Sequence, residues 1–173
     1  DRSYKANTLT ETGTVTEAAV ESGAELLGYS GFSASNYLSR ASDADWDVIG
    51  NGSVYFSAWV KSTSVTTAGT IMTFEKAGNT VRAGLKTYSG GIEFIHDGSG
   101  TNRSFVSAGN PNDSTWHKIE LVIISNTESY GYIDGVENAS NTSDAGSLSD
   151  SGNLPLGIGC DGDGNAPADT CTI

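Results

Sequence analysis

Positive charge is scarce in this sequence of 173 residues, where 9 lysines and arginines stand against 21 aspartates and glutamates. The formal net charge of −12 argues against a nucleic-acid partner, because binding phosphates requires a clustered basic face. It also disfavours electrostatic attachment to anionic membranes. Apolar runs are short, and none approaches the roughly 18 residues that a membrane-spanning helix requires. We therefore predict no membrane insertion.

Proline and cysteine are rare, at 3 and 2 residues, and no window carries a sustained helical stripe of apolar side chains. The closest candidate, residues 16–27, is interrupted by Ser22-Gly23. Glycine is frequent, at 22 residues, and with many serines and threonines it is typical of short strands joined by turns. The length suits one domain with a sizeable core. The sequence thus predicts an all-β protein.

The clearest local pattern is a pair of strands followed by a tight turn. Residues 115–124 form a long apolar segment, residues 125–129 a polar turn, and residues 130–137 a second segment containing Asp134-Gly135. Asp-Gly between apolar residues indicates a hairpin, because glycine tolerates the positive φ that a primed turn requires. We predict three consecutive antiparallel strands, with Leu121 and Ile133 in the core.

A further strong strand is predicted at residues 53–62, where apolar and polar side chains alternate. Aromatic residues stand on both of its faces, with Phe56 on one and Tyr55 and Trp59 on the other. The pattern predicts a central strand with Phe56 in the core. Trp59 is expected to be covered by a loop or to line a surface groove.

Four segments, in this order, resemble landmarks of laminin G-like, concanavalin A-like domains. They are residues 52–60 (GSVYFSAWV), 116–117 (WH), 132–135 (YIDG) and 156–159 (LGIG). The resemblance covers about residues 26–173 and implies a two-sheet antiparallel jelly-roll sandwich of about a dozen strands. It shifts the expected function from catalysis to display and binding.

The first 25 residues are polar and show no core pattern, so they are predicted to form an extended leader or connector before a domain at 26–173. Residues 1–7, 13–16 and 29–38 resemble laminin G-like segments embedded in structural proteins of tailed bacteriophages. That resemblance implies a place on a tail fibre, appendage or capsid surface, with homo-oligomers or other virion proteins as partners. The start at Asp1 and the short end after Cys171 suggest a module of a longer polypeptide.

The end of the sequence holds a candidate calcium loop. Asp161, Asp163 and Asn165 alternate with glycines, as in the first ligand positions of a calcium-binding loop, and Asp169 is available if the loop folds back. Ala166 stands where such a loop has glycine, and Asp-Gly repeats are also ordinary turn chemistry. Calcium and a plain loop both stay open as interpretations.

Cys160 and Cys171 bracket the same acidic loop. Their close spacing and even number favour a disulfide in an exposed, extracellular protein. Two buried thiols are the alternative for a protein assembled in a reducing cytosol.

Carbohydrate binding requires an exposed aromatic platform with neighbouring hydrogen-bonding groups. The predicted ligand-binding residues are Trp59 and Tyr88, with Asp97 and Asn102 in nearby strand and turn positions. The alternative is that these aromatics pack in the core or at its edge.

Catalytic patterns are weak. Glycosidases on this type of sandwich use alternating carboxylates, whereas Ile95 stands between Glu93 and Asp97. The two histidines, His96 and His117, have no nucleophile motif beside them. We predict no catalytic residues and a non-enzymatic adhesive or structural module of a bacteriophage virion, on the virion surface or extracellular, with host glycans as possible ligands. A glycan-binding or adhesion domain of a bacterial surface protein is the first alternative, and a glycoside hydrolase the second.

Overall fold

The computed structural model describes residues 7–43, 53–62, 69–75, 82–88, 90–98, 101–124, 127–143 and 154–160. These residues form fourteen strands and no helix. The strands are β1 (Thr10–Thr12), β2 (Thr16–Ala19), β3 (Leu27–Ser30), β4 (Tyr37–Arg40), β5 (Val54–Lys61), β6 (Gly69–Glu75), β7 (Arg82–Tyr88), β8 (Gly91–Gly98), β9 (Thr101–Asn102), β10 (Phe105–Val106), β11 (Trp116–Ile124), β12 (Glu128–Ile133), β13 (Val136–Asn141) and β14 (Leu156–Ile158). Among these residues there is accordingly no helix that could span a bilayer.

The strands form two main antiparallel sheets and one small ribbon. The larger sheet has the order β1-β4-β14-β6-β7-β8-β10, with β9 also paired to β8. The smaller sheet has the order β13-β12-β11-β5, and β2 and β3 pair with each other. Strands that are distant in sequence are neighbours in both sheets, as in β14 between β4 and β6. This arrangement is the predicted all-β, two-sheet antiparallel sandwich.

The core lies between the two sheets and follows the alternation of side chains along the strands. In β11, Ile119, Leu121 and Ile123 are fully buried, and the residues between them are only half-buried. Phe56 of β5 is paired with Leu121 and lies 5.8 Å, centroid to centroid, from the ring of Phe74 in the other sheet. Phe56 and Leu121 are therefore core residues as predicted.

Ile133 also packs against this core, and the predicted Asp-Gly turn follows it. Asp134 and Gly135 have φ values of 53° and 78°, as a primed two-residue turn requires. The Asp134 backbone N–H donates to the Lys118 carbonyl at 2.9 Å, and the Lys118 N–H donates to the Asp134 carboxylate at 2.9 Å. The hairpin prediction is confirmed.

The predicted central position of β5 is wrong for the described part of the chain. There β5 ends the smaller sheet and pairs with β11 alone. Tyr55 and Trp59 are 56% and 53% exposed, so the second aromatic face of the strand is a surface of the sandwich. Two aromatic faces therefore indicate a core face and an exposed face here, instead of burial on both sides.

Part of the predicted leader forms strands. β1 pairs with β4 at the edge of the larger sheet, and β2 pairs with β3. All four side chains of β2 are exposed, so backbone pairing holds this strand and no apolar alternation marks it. Val15, between the two strands, packs against the core.

Candidate functional site

The outer side of the smaller sheet carries a row of exposed and half-buried aromatic side chains. Residues directly opposite each other in antiparallel strands project to the same face. Trp59 lies opposite Lys118, Trp116 opposite Lys61, and Tyr55 opposite Val122. These pairs place both tryptophans and both lysines on one surface, where each tryptophan has a lysine as its cross-strand neighbour.

The same surface continues across β12. Tyr130 lies opposite Val122, and Tyr132 lies opposite Glu120. We call the surface formed by Tyr55, Trp59, Trp116, Tyr130 and Tyr132 the aromatic face. The Tyr130 hydroxyl donates to Glu128 at 2.8 Å, and this bond raises the pKa of Tyr130. Five aromatic rings thus lie on one side of a single sheet.

A hydrogen-bonded trio fixes the polar groups of the aromatic face. The Lys118 ammonium lies 2.7 Å from the Glu120 carboxylate, and the Tyr55 hydroxyl donates to the same carboxylate oxygen. The bonds from Lys118 and Tyr55 lower the pKa of Glu120, and the bond to Glu120 raises the pKa of Lys118. The Glu120 carboxylate therefore joins the Lys118 ammonium to the Tyr55 hydroxyl across β5 and β11.

At one end the aromatic face opens into a groove of about 360 Å³. Trp59 and Trp116 form one part of its lining, and the β2–β3 ribbon supplies the rest, through Val20, Leu26, Leu27 and Gly28. We call this the apolar groove. Leu26 and Leu27 are 65% and 47% exposed. The volume lies at the lower end of the range for small-molecule sites.

His117 belongs to a separate polar cluster at the start of β11. Its Nδ1 lies 2.7 Å from the Asp134 carboxylate, and its Nε2 lies 3.1 Å from Asp113 and 2.9 Å from the Thr115 hydroxyl. The Asp134 bond, followed by the Asp113 bond, raises the pKa of His117 despite some burial. Hydrogen bonds from Thr115 and His117 lower the pKa of Asp113 to about 2. The cluster ties the 113–115 loop to the Asp134 turn.

The family model of the concanavalin A-like lectin/glucanase superfamily, in its laminin G form, matches residues 32–170. The chain belongs to this superfamily. No curated protein matches the sequence.

Several solved structures have a similar fold and align with most of this chain. The binding domain of Paraclostridial Mosquitocidal Protein 1 has a TM-score of 0.71 at 10% identity over 99% of this chain and 44% of its own. Domains LG4-5 of the mouse laminin alpha1 chain have a TM-score of 0.63 at 18% identity over 82% of this chain and 39% of theirs. The ligand-binding domain of botulinum neurotoxin serotype D, in complex with N-acetylneuraminic acid, has a TM-score of 0.61 at 13% identity over 96% of this chain and 42% of its own. This lectin-like chain spans less than half the length of each, and the likeness shows the fold.

Trp59 is the one predicted ligand-binding residue that lies on the aromatic face. Tyr88, 43% exposed, ends β7 in the larger sheet. Asp97 is 4% exposed, and its carboxylate accepts hydrogen bonds from the Arg103 N–H at 2.9 Å and the Ser104 hydroxyl at 3.0 Å. Asn102 pairs with Asp97 through β9, and its side chain is not among those described. The larger sheet therefore holds three of the four predicted residues.

The predicted calcium ligands Asp161, Asp163, Asn165 and Asp169 lie outside the described residues, as does Cys171. Within the described ranges, no group of three or more histidine, cysteine, aspartate or glutamate side chains could hold a metal. Cys160 is fully buried, and its thiol donates to the Leu38 carbonyl at 3.8 Å. The calcium loop and the Cys160–Cys171 disulfide stay predictions.

The weak catalytic candidates His96 and Glu93 occupy positions where their side chains serve packing and strand pairing. His96 is fully buried and its Nδ1 lies 2.7 Å from the Ser129 hydroxyl, which is itself buried. Glu93 is half-buried on β8, opposite Lys86 and Val106. Neither histidine lines the apolar groove.

Sequence reasoning missed Trp116 and the aliphatic lining of the apolar groove. The sequence marks Trp116 only as a landmark of the family, and residues 20–25 of the groove region fall within the predicted leader. The alternation of side chains along β11 is a signal for Trp116. Ile119 and Leu121 project into the core, so Trp116, three residues before Ile119, projects to the opposite face.

Proposed function

We propose that this lectin-like sandwich is a non-enzymatic, saccharide-binding adhesive module. The observation that carries the proposal is the aromatic face, where exposed Tyr55 and Trp59 lie beside the fixed polar groups of Lys118 and Glu120. Flat aromatic rings offer apolar area to the C–H face of a sugar. Neighbouring charged groups accept hydrogen bonds from its hydroxyls or donate hydrogen bonds to them. The botulinum neurotoxin serotype D domain, which this chain matches over 42% of that domain's length, forms a complex with N-acetylneuraminic acid, and this favours a saccharide as the ligand to test.

The trio of Tyr55, Glu120 and Lys118 suits recognition because its geometry exists before a ligand arrives. A preorganised polar group loses less conformational freedom on binding than a mobile one. The Glu120 carboxylate keeps acceptor capacity for a sugar hydroxyl after accepting from Tyr55 and Lys118. Trp59, next to the trio on the same face, provides the stacking platform.

We further propose that the module is displayed outside the cell or on a virion surface as a homo-oligomer. The resemblance of residues 1–7, 13–16 and 29–38 to segments of bacteriophage structural proteins supports the virion setting. Mass spectrometry of purified virions tests it, and many copies per particle are expected. Recovery of the chain only from bacterial cell envelopes would favour the bacterial surface alternative instead.

Calcium at Asp161, Asp163, Asn165 and Asp169 belongs to the same proposal, as an aid to ligand binding by an acidic loop.

The non-enzymatic assignment is tested by release of reducing sugar from polysaccharides. Release that Glu93→Gln abolishes would establish a glycoside hydrolase and overturn the assignment.

A glycan array, with calcium and with EDTA, tests the function. We expect selective binding of wild type that Trp59→Ala weakens by about 2 kcal/mol, or roughly thirtyfold, as for a central aromatic contact. Val136→Ala is the inert control, because Val136 is 66% exposed and lies outside the aromatic face.

Tyr88→Ala tests the competing site on the larger sheet. Loss of binding in Tyr88→Ala with full binding in Trp59→Ala would move the site there. A blank array in both calcium and EDTA would remove the saccharide-binding function.

A further inference from the structure

The apolar groove has a lining that suits hydrocarbon better than a bare sugar. Its lining side chains in the described structure are the aliphatic Val20, Leu26 and Leu27 on one side and two indoles on the other. A sugar ring placed between them would lose water from its hydroxyls without gaining partners, which costs free energy for each unsatisfied group. A hydrocarbon chain in the same place gains free energy in proportion to its buried area.

The groove and the aromatic face share Trp59. The indole lines the groove and also lies opposite Lys118, beside the trio with Glu120 and Tyr55. A single ligand could therefore reach polar groups on the sheet and apolar groups in the groove. Such a ligand must be amphipathic.

We propose that the apolar groove binds the acyl or alkyl chain of an amphipathic glycan whose saccharide lies on the aromatic face. The inference rests on the proposed saccharide-binding function and adds the chemical class of the ligand. It assigns Leu26, Leu27 and Trp116 a role in specificity, as residues that distinguish acylated or lipid-linked sugars from plain ones.

The charge around the groove favours this occupant over a second copy of the chain. The exposed glutamates Glu17, Glu21 and Glu25 lie on or beside the β2–β3 ribbon, and the chain as a whole carries a net charge of −12. Bringing two such ribbons together would juxtapose like charges. An uncharged hydrocarbon chain meets no such repulsion.

The test is a series of alkyl β-glucosides, from methyl to octyl, titrated below their critical micelle concentrations. The probe is tryptophan fluorescence of Trp46→Phe, because the chain has 3 tryptophans and the other two line the groove. We expect the affinity to rise between about twofold and fourfold per added methylene, the upper value being that of full burial.

A matched pair of variants locates the effect. Leu26→Ser should reduce the dependence on chain length, and Val136→Ser should keep it, since the two residues are 65% and 66% exposed and only Leu26 lines the groove. An affinity independent of chain length, with glycans still bound on the array, would overturn the inference alone. A rising series with a blank array would overturn the saccharide-binding function, and with it the glycan part of the ligand, while leaving the apolar groove as a hydrocarbon site.

Sedimentation analysis tests the competing occupant. We expect the mass of the wild-type particle to be unchanged by octyl glucoside. A particle that dissociates in octyl glucoside and in Leu26→Ser would show that a second copy fills the groove, and would overturn the inference.

Discussion

Gly131→Ala should destabilise the sandwich because Gly131 makes room for a phenylalanine between the two sheets. Gly131 is a buried residue of β12 in the smaller sheet, and Phe94 is a fully buried residue of β8 in the larger one. A Cβ added at Gly131 would lie 2.5 Å from Phe94 Cε2 and 2.6 Å from Cδ2 and Cζ. The favourable carbon–carbon separation is about 3.5–4.0 Å, so the ring would have to move by about 1 Å.

The ring has little freedom to move. Phe94 stacks on Phe105 with their centroids 5.3 Å apart, and its side chain has no exposed surface. Overpacking of a core typically costs about 1–3 kcal/mol. Replacing glycine by alanine also restricts the unfolded chain, which opposes this loss by about 0.4–1 kcal/mol. The expected net destabilisation of Gly131→Ala is about 1–2 kcal/mol, or a melting temperature lower by about 2–8 °C.

Urea unfolding of Gly131→Ala, Phe94→Leu and the double variant measures the contact directly. The smaller leucine should relieve the clash, so the double variant should be more stable than the sum of the two single losses predicts, by about 1 kcal/mol. Gly109→Ala is the control, because a Cβ there would meet only the Asn138 amide at 3.8 Å. Additive losses, or a Gly131→Ala protein as stable as wild type, would refute this packing of the sheets.

Three further predictions concern stability. His117→Asn should remove a pH-dependent part of the stability, because Asp134 chiefly raises the pKa of His117 in the folded protein. This contribution is complete below the ordinary pKa of about 6.5 and is lost as the pH rises through the raised value. Melting temperatures of wild type and variant that change equally with pH would contradict it. Leu121→Ala, at a fully buried position, should cost about 2–5 kcal/mol in urea unfolding, and a loss below 1 kcal/mol would place Leu121 outside the core. Calcium at a hundredfold excess over its Kd should stabilise the protein by about 2.7 kcal/mol, and an equal thermal shift in Asp161→Asn would contradict the predicted loop.

The predictable parts of the fold are those set by local sequence. The β11–β12–β13 meander follows from apolar alternation and from the Asp134-Gly135 turn, which need only neighbouring residues. The position of β5 was not predictable in the same way, because its pairing with β11 joins Phe56 to Leu121 across many intervening residues. Alternation shows that a strand has two different faces, and tertiary packing decides what lies against each.

The candidate site shows the same division. Trp59 could be predicted as a groove residue because it alternates with Phe56 and Val60 on an apolar strand. The apolar groove itself joins Leu26 of the β2–β3 ribbon to Trp116 of β11, a contact that no local pattern encodes. Asp97 lies in a turn-like sequence that fits ligand binding, yet its carboxylate accepts backbone and hydroxyl hydrogen bonds from residues 103 and 104.

Nuclear magnetic resonance of the tryptophan indoles tests most directly whether the aromatic face binds saccharides. Titrating the strongest array glycan into ¹⁵N-labelled protein should shift the indole N–H signals of Trp59 and Trp116 in a saturable manner. The Kd from these shifts should equal the Kd that a separate solution measurement gives for the same glycan. Saturable shifts confined to β6–β8 of the larger sheet, with both indole signals unmoved, would contradict the account.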